Sequence, residues 1–531
     1  MRHPGPVLPV GSKAKSGSCS LPLYSLQSSL LPSLPEPERT TKHQPEENQN
    51  RTTCCHRLFE AEGYVQNNAS RQPPGLQRRH QFTSHNTLKE AAQRRLHSMA
   101  AEIWAWQDGS INVDTLNAAA MGRNSSSAVL AGFTSGDWNG TFSGSYTDWA
   151  AVKLNTDDGE MLWKWQNGSV GSSDRIYGAA VGEDESVFLA GGGAGGFAVI
   201  KLDSAGSEVW RYLGDTEGFD QAYGVVAVAD GGCVVAGITG GDWATTFSGG
   251  HKDFAAFRLD SEGSVVWRWQ SGTPGQDQIF AVTAADDGTG EVVLVGRTSE
   301  SAIFRGGSDH VAIKLSATGE EIWRYQNRTS ASDAIHAAAT AADGSIALAG
   351  SAWSGYDSDF FVAYLSAGGE WIWSYQNGTD GWDEELTAVV IESEGIVVAG
   401  HTDGAVAWGE ESAGGLDCAV LKLSFEGEEI WRFQGGTGRD DYCNAMAGDS
   451  AGRVILAGET NGSRAQTNLG DTDFLAFVLD TTGDSVSAPA PAPAPASSSR
   501  AVTRFSPTLG VALATLCAVV AYPLLEFHSS F

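Results

Sequence analysis

Basic side chains are scarce in this 531-residue chain: 34 Lys and Arg stand against 64 Asp and Glu, a formal net charge of −30. The shortage is uneven. Residues 1–100 carry 13 basic and 7 acidic side chains, which leaves 21 and 57 for the remainder. So acidic a body repels nucleic acid, whose binding depends on Lys and Arg clustered against phosphate, and suits cationic partners or simple solubility. Cysteine is sparse as well. Seven in so long a chain make no disulfide framework, and Cys233, Cys418 and Cys443 fall at unrelated points of the pattern described below, as small buried hydrophobes do. Cys54 and Cys55 are adjacent but lie outside that pattern, and no zinc-ligand spacing occurs. Catalytic signatures are missing too. There is no phosphate loop, and His251, His310, His336 and His401 are scattered without a partnered nucleophile or metal spacing. Charged residues make up only 18%, too few for a chain of long surface helices.

What the chain has instead is glycine, 65 of them, and 17 tryptophans in a repeating frame. Seven segments share an apolar residue, Trp, any residue and an aromatic: Ile103–Trp106, Leu162–Trp165, Val209–Tyr212, Val266–Trp269, Ile322–Tyr325, Ile372–Tyr375 and Ile430–Phe433. A Gly closing a short apolar run follows each Trp by 27 to 29 residues, at Gly132, Gly191, Gly237, Gly296, Gly350, Gly400 and Gly458. An Asp follows it by ten or eleven, at Asp114, Asp174, Asp220, Asp277, Asp333, Asp383 and Asp441. Within the fourth repeat, Ile279–Ala284, Val292–Gly296, Asp309–Leu315 and Glu320–Gln326 read as strands between turn residues. Four strands per unit of roughly 55 residues is the arithmetic of a β-propeller blade. The seventh repeat ends after its third strand, Asp473–Asp480, and the missing Trp-bearing strand stands at the other end, at Glu102–Gln107. The sequence therefore predicts an all-β, seven-bladed propeller of four-stranded blades over residues 102–486, closed by its N-terminal Trp-x-Trp strand.

The run Gly132-Phe133-Thr134-Ser135-Gly136-Asp137-Trp138, then Phe142-Ser143-Gly144, then Asp148–Leu154, resembles the seven-bladed β-propeller repeat family of bacterial and algal surface proteins, and 237–259 and 296–315 are similar. The resemblance implies a surface-displayed binding propeller. The second repeat departs from it, because Gly191–Gly196 replaces the long loop and its Asp. A weaker resemblance runs from Leu202–Trp210 to the tryptophan-docking repeats of quinoprotein propellers, which implies a dehydrogenase with calcium and a quinone. Those proteins have eight blades and a vicinal cystine; here the count is seven, and the adjacent cysteines lie outside the repeats.

The tails read differently. Residues 1–100 are polar, Pro-, Gln- and Arg-rich and without apolar periodicity, apart from a possible helix over 87–99, and carry no visible signal peptide. Residues 487–507 form an Ala/Pro/Ser-rich linker, and residues 508–525 are eighteen without a charge, enough for a membrane segment. Two anchors fit that segment: a glycosylphosphatidylinositol signal, which puts the propeller at the cell surface, or a tail anchor with Arg500 and Arg504 inside, which puts it in the cytosol. The lack of a signal peptide argues for the second. Sequons at Asn124, Asn139, Asn167, Asn327, Asn377 and Asn461 argue for the first, which is preferred.

Strands alternate in direction within a blade, so the loops entering each blade and the loops between its second and third strands emerge on one face. That face is the candidate binding surface. It carries the seven Asp, which could form an acidic ring for calcium but serve their own turns more simply, and loop aromatics, chiefly Trp138, Trp243, Trp353, Tyr356 and Trp408, which could stack on a protein or glycan partner or pack between blades. No cofactor is required. The expectation is a membrane-anchored binding or scaffold module; the alternative is a propeller enzyme, quinoprotein-type or glycan-acting.

Overall fold

The computed structural model describes residues 100–482, apart from scattered single positions and the loop stretches 285–288, 300–306, 328–330, 379–382 and 404–413. The helix expected over 87–99, the linker and the membrane segment lie outside the described residues, as does Trp408. Among the described residues there are strands and no helix, and no element is long and apolar enough to cross a membrane as a helix.

The strands form seven four-stranded antiparallel sheets in simple meander order. In the first blade they are, from the axis outward, Asp114–Met121, Ser127–Thr134, Asp148–Asn155 and Met161–Asn167. The innermost strands of successive blades contact one another all the way round, the seventh meeting the first. Ring closure follows the sequence expectation. Ala101–Asp108 pairs antiparallel with Asp473–Asp480 and becomes the outer strand of the seventh blade. The fourth blade is Asp277–Ala284, Val292–Thr298, Asp309–Leu315 and Glu321–Asn327, within two residues of the expected limits.

Burial grades outward for a geometric reason. Second and third strands are sandwiched between neighbouring blades on both faces, so Val187–Gly193, Gly196–Leu202 and Cys233–Thr239 are buried at every residue and read as unbroken apolar runs. Outer strands keep one face free; Val265–Ser271 alternates between partly buried and exposed. Seven apolar clusters fill the seven interfaces between blades, for example Trp149 with Ile176 between the first and second.

Two registers of the repeat acquire physical causes. Six of the leading tryptophans donate their indole N–H to a backbone carbonyl in the turn between the third and outer strands of the following blade, from Trp104 to Thr156 O (2.9 Å) round to Trp373 to Phe425 O (2.7 Å). The ring lies against a turn glycine, such as Gly263 under Trp210, whose φ of +82° only glycine adopts without strain. The seventh, Trp431, is fully buried. The second register is the glycine closing each apolar run. It faces a β-bulge in the innermost strand, where a Cβ on Gly296 would stand 1.9 Å from Gln278 O. The bulge recurs in every blade, and its extra residues are Asn117, Tyr177, Tyr223, Phe280, His336, Thr387 and Asn444.

The cysteines require a correction. Cys418 and Cys443 are not independent small hydrophobes: they form a disulfide, with Cα atoms 5.3 Å apart. They hold different positions in their repeats because they face each other across the boundary between blades six and seven. Cys418 follows the first residue of a third strand, and Cys443 precedes the bulge of the next innermost strand. Trp149/Ile176, Phe254/Ile279 and Phe360/Leu386 are the apolar equivalents elsewhere. Cys233 is buried and free.

Candidate functional site

The face predicted from strand direction is built by two sets of carboxylates. The first begins each innermost strand. Asp114, Asp174, Asp220, Asp277 and Asp441 are buried and accept backbone N–H groups from their own entering turns, from Ser110, Ser169, Thr216, Thr273 and Thr437. Asp333 is also buried and accepts the N–H of Trp353 at 3.0 Å. In the sixth blade the assignment shifts by one. Asp383 is exposed, and Glu384, buried and paired in register with Thr402, takes the place that Asp114 takes opposite Thr134. An acid at both positions concealed the extra residue. Five of the seven Asp hold their own entering turns.

Burial has an electrostatic consequence. It pushes the Asp114 and Asp277 carboxyls up to about 6, against the pull of hydrogen bonds from Thr134 and Thr298 on the second strands and from their own turns. A carboxyl whose pKa is raised on folding adds stability below its unfolded value near 3.8, and that stability is lost as pH rises through 6. Acidifying from pH 7 to pH 5 should therefore gain roughly 1 kcal/mol from Asp277 alone. Melting temperatures of wild type and Asp277→Asn at the two pH values check this: the wild type should show the more favourable acid shift.

The second set was missed. Asp148, Asp253, Asp309, Asp417 and Asp473 begin third strands and Asp359 stands second in its own, and each accepts a hydrogen bond from a glutamine three residues after the leading Trp: Gln166, Gln270, Gln326, Gln434, Gln107 and Gln376 respectively, at 2.8 to 3.0 Å. Where the loop is long, the same glutamine's Oε1 ties it down. Gln270 accepts from the N–H groups of Trp243, Ala244 and Thr245, and Gln166 from those of Trp138 and Asn139. The signal was present in the sequence, because the second blade lacks both partners, with Leu213 for the glutamine and Gly196 for the acid. Gln270→Ala should lower stability by about 1–3 kcal/mol, since it leaves three loop N–H groups without their acceptor and takes one donor from the buried Asp253 carboxylate, which keeps those of Ser248. Urea unfolding would measure the loss, and limited proteolysis should show faster cleavage within residues 240–252.

The loop aromatics divide. Trp138 is buried, donates to Asp108 Oδ2 at 2.9 Å, and meets Phe474 edge-on with ring centroids 4.8 Å apart. Trp243 packs between Phe197 and Phe257 under the Arg268 guanidinium. Both are committed to the ring rather than offered to a partner, because their loops fold back onto the blade under the glutamine clasp. Trp353 and Tyr356 are presented, 43% and 91% exposed. Ile111, Tyr146, Val170, Phe219 and Leu469 are exposed on the same face. Among the described residues, every other large exposed hydrophobic lies in an outer strand, and none lies on the opposite face, whose turns between third and outer strands repeat one short hydrogen-bonded form, such as 203–207 and 260–264. Of the sequon asparagines, Asn124 and Asn139 are exposed, and the other four are partly buried.

No protein-family model matches the chain, and no curated protein matches it. Solved structures do. The Pan2 WD40 domain of Neurospora crassa is similar at 10% identity and a TM-score of 0.43, over 72% of this chain and 96% of that one. Sqt1 from Chaetomium thermophilum is similar at 10% identity and a TM-score of 0.39, over 67% and 83%. A protein of unknown function from Bacteroides caccae is similar at 11% identity and a TM-score of 0.34, over 54% and 90%.

Proposed function

We propose that this chain is a membrane-anchored binding or scaffold propeller of the cell surface, which takes a protein or glycan partner on the face carrying the loops between second and third strands. The observation that carries the reading is the distribution of exposed apolar groups. On one face, variable loops present Trp353, Tyr356, Tyr146 and Phe219; on the other, short turns repeat and, among the described residues, present none. The acidic balance of the chain beyond residue 100 favours a partner with cationic groups. The motif likeness to bacterial and algal surface repeats supports display outside the cell. The Cys418–Cys443 disulfide supports it independently, since such bonds persist in oxidising compartments. Exposed sequons at Asn124 and Asn139 are compatible with glycosylation there.

Two experiments on intact cells test the proposal. A glycosidase shift together with phospholipase release would support surface display on a glycosylphosphatidylinositol anchor; a protease-protected propeller would overturn it. Crosslinking on surface-labelled cells should recover a partner with the wild type that is lost with the double variant Trp353→Ala, Tyr356→Ala and kept with Glu370→Ala on the opposite face. Equal recovery with all three would remove the loop face from the reading.

A further inference from the structure

The Trp, Gly and bulge positions of this repeat are the same in every blade, but the identity of the bulge residue is not. The bulge residue of the innermost strand always follows an apolar residue or cysteine and always precedes Ala or Gly, yet it is itself Asn, Tyr, Tyr, Phe, His, Thr and Asn in blade order. A residue that served the blade would repeat with it. These seven side chains line the axis of the ring and, with the small residues beside them, border an open channel of about 350 Å³, within the range of small-molecule pockets.

The cavity wall is sorted by chemistry. Four consecutive blades contribute an unbroken aromatic arc, with ring centroids 5.1 Å apart for Tyr177–Tyr223, 5.8 Å for Tyr223–Phe280 and 5.1 Å for Phe280–His336. The other three side chains turn their polar groups back to the ring. Thr387 Oγ1 donates to Cys443 O at 2.7 Å, Asn444 Nδ2 to Leu116 O at 3.0 Å, and Asn117 Nδ2 to Ile176 O at 2.9 Å. Arg297 is not among the residues that line the cavity but stands behind its wall at the arc, its guanidinium carbon 5.5 Å from the centre of the Phe280 ring. Its Nε and Nη2 donate to the neutral Gln278 Oε1, and among the described residues no carboxylate lies within 4 Å of it, although the chain is strongly acidic. The nearby Glu385 is engaged by His336 Nε2 at 3.1 Å. The Tyr177 hydroxyl has no protein partner among the described residues.

We propose that the central channel binds a small planar aromatic carboxylate, its ring against the arc of Tyr177, Tyr223, Phe280 and His336 and its carboxylate on Arg297. The arc supplies apolar area with the edge and face geometry that aromatic rings prefer. The guanidinium supplies a planar fork suited to a carboxylate, with Nη1 still unused. An anion on that side of the channel neutralises a partly buried charge that the protein itself leaves without a direct counter-ion. This site shares no residue with the exposed apolar groups of the loops and does not depend on the partner proposed for them.

Calorimetric titration of the whole propeller with benzoate, indole-3-acetate and 2-naphthoate, each beside its carboxamide, tests the proposal. At least one carboxylate should bind saturably with one-to-one stoichiometry and at least tenfold more tightly than its amide. Arg297→Gln should abolish that preference, and Phe280→Leu should weaken acid and amide alike by about tenfold, while Arg297→Lys should retain part of the preference for the acid. Trp353→Ala with Tyr356→Ala should leave the titration unchanged, which separates failure here from failure of the loop-face reading. Circular dichroism confirms that each variant is folded. Absence of saturable binding by any of the three acids, or binding that both Arg297→Gln and Phe280→Leu leave intact, would overturn the proposal.

Discussion

Adding a single methyl group at Gly296 should destabilise the propeller by about 3 kcal/mol or more. The new Cβ would stand 1.9 Å from Gln278 O and 2.9 Å from Ile279 Cα, and both are backbone atoms that no rotamer change can move. Relief requires the bulge between Ile279 and Ala281 to open, which displaces Phe280 from the axis and pulls Asp277 off its turn. The same close approach recurs at Gly132, Gly191, Gly237, Gly350, Gly400 and Gly458, with distances of 1.7 to 2.0 Å. Gly368 is the control. Its Cβ would meet nothing nearer than Ser366 Oγ at 3.7 Å, so Gly368→Ala should stay within about 0.5 kcal/mol of wild type. Urea unfolding of the two variants decides the matter, and equal midpoints would sink the account of the glycine register.

Loss of the Cys418–Cys443 bond should cost about 3 kcal/mol, the scale expected for releasing a loop of 25 residues from constraint in the unfolded chain. Wild type in dithiothreitol and the double alanine variant should both show it in urea unfolding. The native state suffers as well, because two small side chains are left where other interfaces place a large one. Cys418→Phe with Cys443→Ala copies the Phe197/Ala222 arrangement between blades two and three and should recover part of the loss without any disulfide. If reductant leaves the wild-type midpoint unmoved, the bond contributes nothing to holding blades six and seven together.

The blade count was legible because the Trp, Gly and Asp registers arise from contacts made once per blade: an indole on the next blade's turn, a glycine against a bulge, a carboxylate in a turn. Periodicity exposes what every repeat must do. It is weaker where two residue types satisfy the same geometry, so Asp383 was taken for Glu384. It is silent on pairs that meet across a boundary from unequal positions, which is why Cys418 and Cys443 looked unrelated. The glutamine clasp was readable from the double substitution at Leu213 and Gly196, since a partner pair that disappears together marks a contact. Of the candidate site, the face followed from strand direction, but sequence could not tell the committed Trp138 and Trp243 from the presented Trp353 and Tyr356. Whether a loop folds back depends on hydrogen bonds such as those of Gln166 and Gln270, not on the aromatic itself. The axial residues escaped notice because a bulge shifts the strand's alternation by one, and no alternation rule anticipates where that happens.

Closure of the ring by Ala101–Asp108 also sets a clock. Gln107 reaches Asp473 across 366 residues, so the first strand to emerge during synthesis must wait for nearly the last before its partner exists. At ribosomal rates that interval is roughly 20 to 70 s. Loop closure over such a span adds little in free energy, because its entropy grows only as the logarithm of length. The burden falls on time: through that interval an amphipathic strand and the open side of a growing arc of blades both present unpaired backbone, the arrangement most prone to joining a neighbouring chain.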